Sequence, residues 1–333
     1  MFNIPSFSGF KFSHSSPSVE PFIFTVNTSL TGQSASNQFF MPLASSVDLN
    51  IDIDWGDGTP IQNVTLNTDA QHTYASAGIY TISVTGSLVN WRFNNTGDRT
   101  KMLNISQWGC FNMNLEAAFY GCSNMNSTAT DYPIITSTNL NGCFRGCTIF
   151  NGAINNWNVS IVQNFGNFFR DALAFNQNIG GWNTSSATAM TSMFQNATAF
   201  NQNIGSWNTI NVTNMNNMFN AAIAFNQSIS LWDVFNVTNM GSMFSGATAF
   251  NQNIGSWQIQ NVTNFSNFMR FKTFNDYSAS NLDSIYNNWS DIFVQPNVSI
   301  NFQTIKYTAS AQAGKNILTG SPNNWVIVDG GTV

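Results

Sequence analysis

The sequence predicts a chain that is mainly β with short helices: a small N-terminal β-sandwich followed by a solenoid built from repeats of about 25 residues. Three observations predict this. Trp157, Trp182, Trp207, Trp232 and Trp257 recur at a fixed interval of 25 residues. Phe150, Phe175, Phe200, Phe225 and Phe250 stand seven residues before each tryptophan, with Ile154, Ile179, Ile204, Ile229 and Ile254 between. Upstream of the repeats, Val47, Leu49, Ile51 and Ile53 alternate with Asp48, Asn50, Asp52 and Asp54, the two-residue period of a half-buried strand.

Residues 1–19 are rich in Gly, Ser and Pro and contain no long apolar run. They predict an extended arm that docks on a partner or stays without structure, and not a signal peptide. The sandwich is expected over 20–100. It opens with the strand 21–31, continues through 47–55 to the tight turn WGDGTP at 55–60, and adds a strand in 71–86 with Tyr80, Ile82 and Val84 inward. Asp52, Asp54 and Asp57 raise calcium as a possibility. Carboxylates accepting backbone N–H bonds in a turn are the simpler reading, and His72, with no nucleophile or second histidine nearby, is expected to pack.

The repeat array is expected over 101–290. One unit cannot bury its own Phe, Ile and Trp, but stacked units bury them as continuous ladders. The block F-N-Q-N-I-G-x-W at 175–182, 200–207 and 250–257 is expected to form a short strand paired in parallel with its neighbours. The block N-V-T-N-M-x-x-M-F at 211–219, echoed at 236–244, places Met215, Met218 and Phe219 on one face of a short helical turn. Tyr132 and Trp108 are the expected earlier members of the tryptophan column. Residues 291–333 predict a cap with a closing helix and a final strand in VIVDGG.

Composition narrows the function. Charged residues make up 8% of the chain, against about 25% in ordinary globular domains. Asn, Ser, Thr and Gln take their place on the surface. The net charge of −5 and the lack of a basic patch remove the main term for nucleic-acid binding. No run of about 18 apolar residues predicts a membrane span. Between 151 and 265 only Arg170, Asp171 and Asp233 are charged, so paired acid–base groups are missing there, and no nucleotide, zinc-hydrolase or nucleophile-elbow motif occurs. The expectation is a non-enzymatic protein with no cofactor and no metal. Cys110, Cys122, Cys143 and Cys147 are expected as buried free thiols, with disulfides left open for an oxidising compartment. Fifteen N-x-[ST] sequons mark glycosylation only if the chain meets that machinery.

The F-N-Q-x-I-x-x-W and N-V-T-N-M-x-x-M-F blocks, with the closing KYTASAQAG and NNWVIVDGG, resemble the BspA-like, DUF285-type family, a divergent branch of leucine-rich-repeat-like solenoids. Asp54-Trp55-Gly56-Asp57-Gly58 followed by His72-Thr73-Tyr74 and Ala77-Gly78-Ile79-Tyr80 resembles PKD-like domains of immunoglobulin-like fold, which are spacers and adhesion modules. The pairing of the two, with the linker at 91–109, is similar to proteins of large DNA viruses and phages. These resemblances imply a virion structural or surface protein, such as a spike, fibre or minor capsid component, located at the virion surface. Its partners would be other particle proteins, copies of itself, or a host-surface glycan or protein. The alternative is a secreted or cell-surface adhesin or carbohydrate-binding protein. In either case the expected binding face is the amide column formed by Asn201, Gln202, Asn226, Gln227, Asn251 and Gln252.

Overall fold

The computed structural model describes residues 20–333; the expected arm at 1–19 lies outside the described residues. The chain is mainly β, with 19% of residues in strands and 9% in helices. Strands β1 (Phe22–Asn27), β2 (Gln38–Phe40), β3 (Asn50–Asp54), β4 (Gln62–Val64), β5 (Gln71–Thr73), β6 (Ile79–Ser87) and β7 (Met102–Gln107) come first. Three two-residue strands follow: β8 (Asn112–Met113), β9 (Asn126–Ser127) and β10 (Ile134–Ile135). A six-stranded sheet has the order β4-β3-β6-β1-β7-β9, while β2 pairs β5 separately.

Alternation sets the inner face of this sheet. Phe22, Phe24 and Val26 of β1 are fully buried opposite Val84, Ile82 and Tyr80 of β6. Ile51 and Ile53 are buried, but Val47, expected on the same face, is 68% exposed. The left-handed backbone at Asp48 (φ 60°) breaks the alternation before β3 begins. The sheet also runs past the expected boundary at residue 100. β7 pairs antiparallel with β1 and parallel with β9, joining the N-terminal strands to the first coils without an edge between them.

A buried ionic knot closes this junction. Asp98 and Lys101 have fully buried side chains 3.7 Å apart. Asp98 accepts the backbone N–H groups of Ser34 and Phe40, each at 2.9 Å. Lys101 Nζ donates to Ser34 Oγ at 2.7 Å and to the carbonyls of Ala35 and Gln38 at 2.8 Å. A buried charge is tolerated only when paired and hydrogen-bonded in this way. The 31–40 loop is thereby fixed to the start of β7.

From residue 113 onward the chain lies in successive turns offset by 25 residues. Parallel bridges run Asn139, Asn164, Ala189, Asn214, Asn239, Asn264. The cross-coil bridges therefore sit in the N-V-T-N-M block and not in F-N-Q-N-I, where a strand was expected, and the backbone bonds that follow them continue through the next residues. The expected helical turn is absent as well. Left-handed residues recur four apart in each coil, as at Gly142 and Gly146, Asn167 and Asp171, Ser192 and Asn196, Asn217 and Ala221. Each one interrupts helical propagation. The segment becomes a chain of three-residue turns, as in Met193 N–H to Met190 O at 3.3 Å. The alternate amides of Met190, Ser192, Phe194 and Asn196 point along the stack and donate to the carbonyls of Asn214, Asn216, Met218 and Asn220 at 2.8–3.1 Å.

The side chains form ladders as expected. Trp182, Trp207 and Trp232 stack at 6.4 Å with ring planes within 3°. Phe194 lies 4.0 Å from Phe200 within its coil and 5.7 Å from Phe219 of the next. Each indole N–H from Trp182 to Trp257 donates to the isoleucine carbonyl 28 residues earlier, at 3.0–3.1 Å. Tyr132 does not join the column: it is 58% exposed, and Trp108 packs directly on Trp157, edge to face at 5.2 Å.

The C-terminal segment has helix α1 (Ala279–Ser290), strand β11 (Ser299–Asn301), helix α2 (Gln312–Thr319) and strand β12 (Val326–Val328). Ser278 Oγ caps α1 by accepting the Asn281 N–H. Leu282, Ile285, Tyr286 and Trp289 make its buried face. Trp289 and Trp325 cover Phe265 at 5.5 and 5.9 Å, closing the end of the apolar column.

Candidate functional site

The expected binding residues lie in one column, and the structure joins them by a specific relay. Asn176 Oδ1 accepts the backbone N–H of Asn201 at 2.9 Å and Gln202 Nε2 at 2.9 Å. Asn201 Oδ1 does the same for Asn226 and Gln227, and Asn226 Oδ1 for Asn251 and Gln252. Upstream, Asn126 and Asn151 pass the same bond to Asn151 and Asn176. At the far end Asn251 Oδ1 caps the approach to α1 by accepting the Ser278 N–H and Asn281 Nδ2.

The relay replaces backbone pairing in this part of each coil, which is why F-N-Q-N-I forms no strand. It also fixes which atoms remain for a ligand. The oxygens of Asn176, Asn201 and Asn226 each already have two donors. Among the described residues, Asn201 and Asn226 Nδ2 and Gln202 and Gln227 Oε1 have no internal partner, so the column presents alternating donors and acceptors. Asn201→Leu is expected to strand the Asn226 N–H and Gln227 Nε2 and lower stability by about 1–3 kcal/mol. Asn201→Asp, which keeps the acceptor, is expected to lose less. Denaturant unfolding of both variants checks this.

The aspartates of the WGDG turn are each engaged separately. Asp52 Oδ1 accepts Asn63 Nδ2 at 2.9 Å and Asp54 Oδ1 accepts the Gly56 N–H at 2.9 Å. Asp57 accepts Thr59 Oγ1 at 2.6 Å and meets His72 Nε2 at 2.8 Å. Partial burial pushes the Asp57 carboxyl up, but hydrogen bonds from Thr59 and His72 outweigh this and hold it at about 2. His72 stacks on Trp55 at 5.1 Å. Among the described residues no three His, Cys, Asp or Glu side chains are placed to hold a metal ion.

All four cysteines are free thiols; Cys122, Cys143 and Cys147 are buried, and Cys110 is half-buried. Cys147 Sγ donates to Phe119 O at 3.1 Å, so it serves the packing of the first coils. Cys122 and Cys147 stand in the position that is alanine at 172, 197, 222 and 247, and lysine at 272. Lys272 is buried, and its ammonium donates to Ala247 O at 2.7 Å, which also accepts the Phe250 N–H, and to Thr248 O at 3.3 Å, the position whose carbonyl takes a next-coil N–H at Thr148, Leu173 and Ile223. Sequence reasoning missed this terminator, although a lysine in an alanine column was visible.

Among the described residues no helix is long and apolar enough to cross a membrane. No curated protein and no solved structure matches the chain. The family described as "Mycoplasma protein of unknown function, DUF285" matches residues 113–212 and 200–303, together more than half of the chain. The match covers the same coils that carry the tryptophan, phenylalanine and asparagine columns, and the chain belongs to the DUF285, BspA-like family.

Proposed function

We propose that the chain is a non-enzymatic virion structural or surface protein, a leucine-rich-repeat-like solenoid carried on a PKD-like, immunoglobulin-type β-sandwich. The observation that carries this reading is the amide relay from Asn126 to Asn251. It yields a rigid, repetitive and nearly uncharged face, suited to lateral contact and attachment and not to proton transfer. The sheet shared by β1, β7 and β9 supports a stiff connection between the two parts. Stacked coils of this kind form a quasi-one-dimensional rod whose long face meets partners.

Quantifying the chain in purified particles, together with antibody accessibility, tests the reading. A stoichiometric, exposed protein is the expected result. Absence from particles, with the chain found on cells or in medium, overturns it in favour of the secreted adhesin, for which the outward amides also provide hydrogen-bonding groups for sugar hydroxyls. The attachment face is tested separately. Gln202→Ala, Gln227→Ala and Gln252→Ala together leave the asparagine relay intact and are expected to weaken attachment several-fold. Unchanged attachment moves the contact to another face.

A further inference from the structure

A pocket of about 490 Å³ lies at the junction of the two parts, lined by Leu30, Thr31, Gly32, Gln33, Gly97, Arg99, Thr100 and Asn124. Its single charged group is Arg99. The chain has five arginines, and four have a partner. Arg92 pairs with Glu116 at 3.0 Å and Arg170 with Asp171 at 3.5 Å. Arg145 lies over the Tyr120 ring at 4.7 Å and Arg270 over the Phe271 ring at 4.4 Å. Arg99 has neither a carboxylate nor an aromatic face among the described residues, and residues 1–19 contain no Asp or Glu that could supply one.

The walls around this guanidinium are built. Asp98 and Lys101, the knot residues, flank Arg99 in sequence and bind the 31–40 loop opposite. Thr100 Oγ1 donates to Thr31 O, and Asn124 Nδ2 donates to Thr100 O at 2.8 Å. Gly32 has no room for a side chain: a Cβ there would lie 2.5 Å from Asp98 Oδ1. The Arg99 stem rests on Gly121, where a Cβ would meet Cδ at 2.5 Å and Nε at 2.7 Å.

We propose that this pocket binds a small sugar acid, its carboxylate held by the Arg99 fork and its ring hydroxyls by Thr31 and Gln33. A guanidinium favours a planar carboxylate because two parallel N–H bonds form at once. The volume suits a monosaccharide, and Leu30 offers an apolar wall for a ring face. The site is independent of the amide column and of where the protein resides.

Isotope-labelled protein titrated with glucuronate, N-acetylneuraminate, glucose and inorganic sulfate tests the proposal. Saturable shifts at the amides of Thr31, Gly32, Gly97 and Thr100 are expected with one or both sugar acids and not with glucose. Arg99→Gln is expected to weaken that binding at least tenfold with an unchanged melting temperature, and Arg99→Lys to weaken it less. Equal binding by wild type and Arg99→Gln overturns the proposal, as does the absence of any shift. Sulfate binding as tight as that of the sugar acids overturns the sugar assignment. Where Arg99→Gln itself lowers the melting temperature, the wild-type titration with glucuronate against glucose still decides.

Discussion

Trp207→Ala is expected to lower unfolding stability by about 3–5 kcal/mol, the range for truncating a buried tryptophan. Its ring is stacked at 6.4 Å against both Trp182 and Trp232, and its N–H satisfies Ile179 O at 3.0 Å. A coil touches only its neighbours, so the loss should be local. Hydrogen exchange is expected to rise in the coils around residues 182–232, while the β1–β6 amides stay protected. The milder Trp207→Phe removes one of the two donors to Ile179 O, the other being the Trp182 N–H at 3.1 Å, and should cost about 1 kcal/mol more than Trp157→Phe. Trp157 supplies the control because its Nε1 has no partner. Equal losses for the two phenylalanine variants would remove the indole bond from the account of stability.

The second large effect is a loss of stability in alkali. Burial raises the thiols of Cys122, Cys143 and Cys147, with Cys143 pushed up to about 12. An unfolded thiol titrates near 8.5. The unfolded chain therefore releases protons that the folded core retains, and stability present below about pH 8.5 is lost as pH rises. At pH 10 each thiol contributes a loss of about 2 kcal/mol, about 6 for the three. Lys272 acts in the opposite direction. Burial lowers its ammonium to about 8, so its folded form gives up a proton first and stability rises from there toward about pH 10.4. At pH 10 that returns about 2–3 kcal/mol, so the three thiols and Lys272 together account for a loss of about 3–4, to which the phenols of Tyr74, Tyr277 and Tyr286, also raised by burial, add in the same direction. Denaturant midpoints at pH 7 and 10 measure it. Replacing Cys122 and Cys147 by the alanine found in later coils is expected to remove most of the loss. An unchanged alkaline slope in that double variant would show that other groups govern it.

The repeat and its apolar faces were legible because burial is periodic. Met215, Met218 and Phe219 are fully buried as their spacing predicts. Their conformation was not legible, because a spacing of three and four residues is shared by a helical turn and by chained turns with left-handed corners. Gly121, Gly142, Gly146 and Gly246 sit at those corners, but Asn, Asp, Ser and Ala fill the same corners elsewhere and mask the signal. The amide column was legible as a column. That its oxygens are taken up by the next coil required the third dimension, since Asn201 and Asn226 read equally well as a ladder or as a binding face. The Arg99 pocket was invisible, because its walls come from the 30–33 loop, residues 97–100 and Asn124, and no local motif links them.

The relay also has a direction. The oxygens of Asn151, Asn176, Asn201 and Asn226 receive from the coil that follows, never from the one before, and these bonds span 25 or 26 residues. The indole bonds span 28 in the same sense. An in-frame duplication of one unit anywhere in the regular stretch restores each of these bonds on both sides of the insertion. The number of coils is thus open to change by gene duplication without new packing chemistry, while the knotted junction and the Lys272 terminator keep the two ends constant.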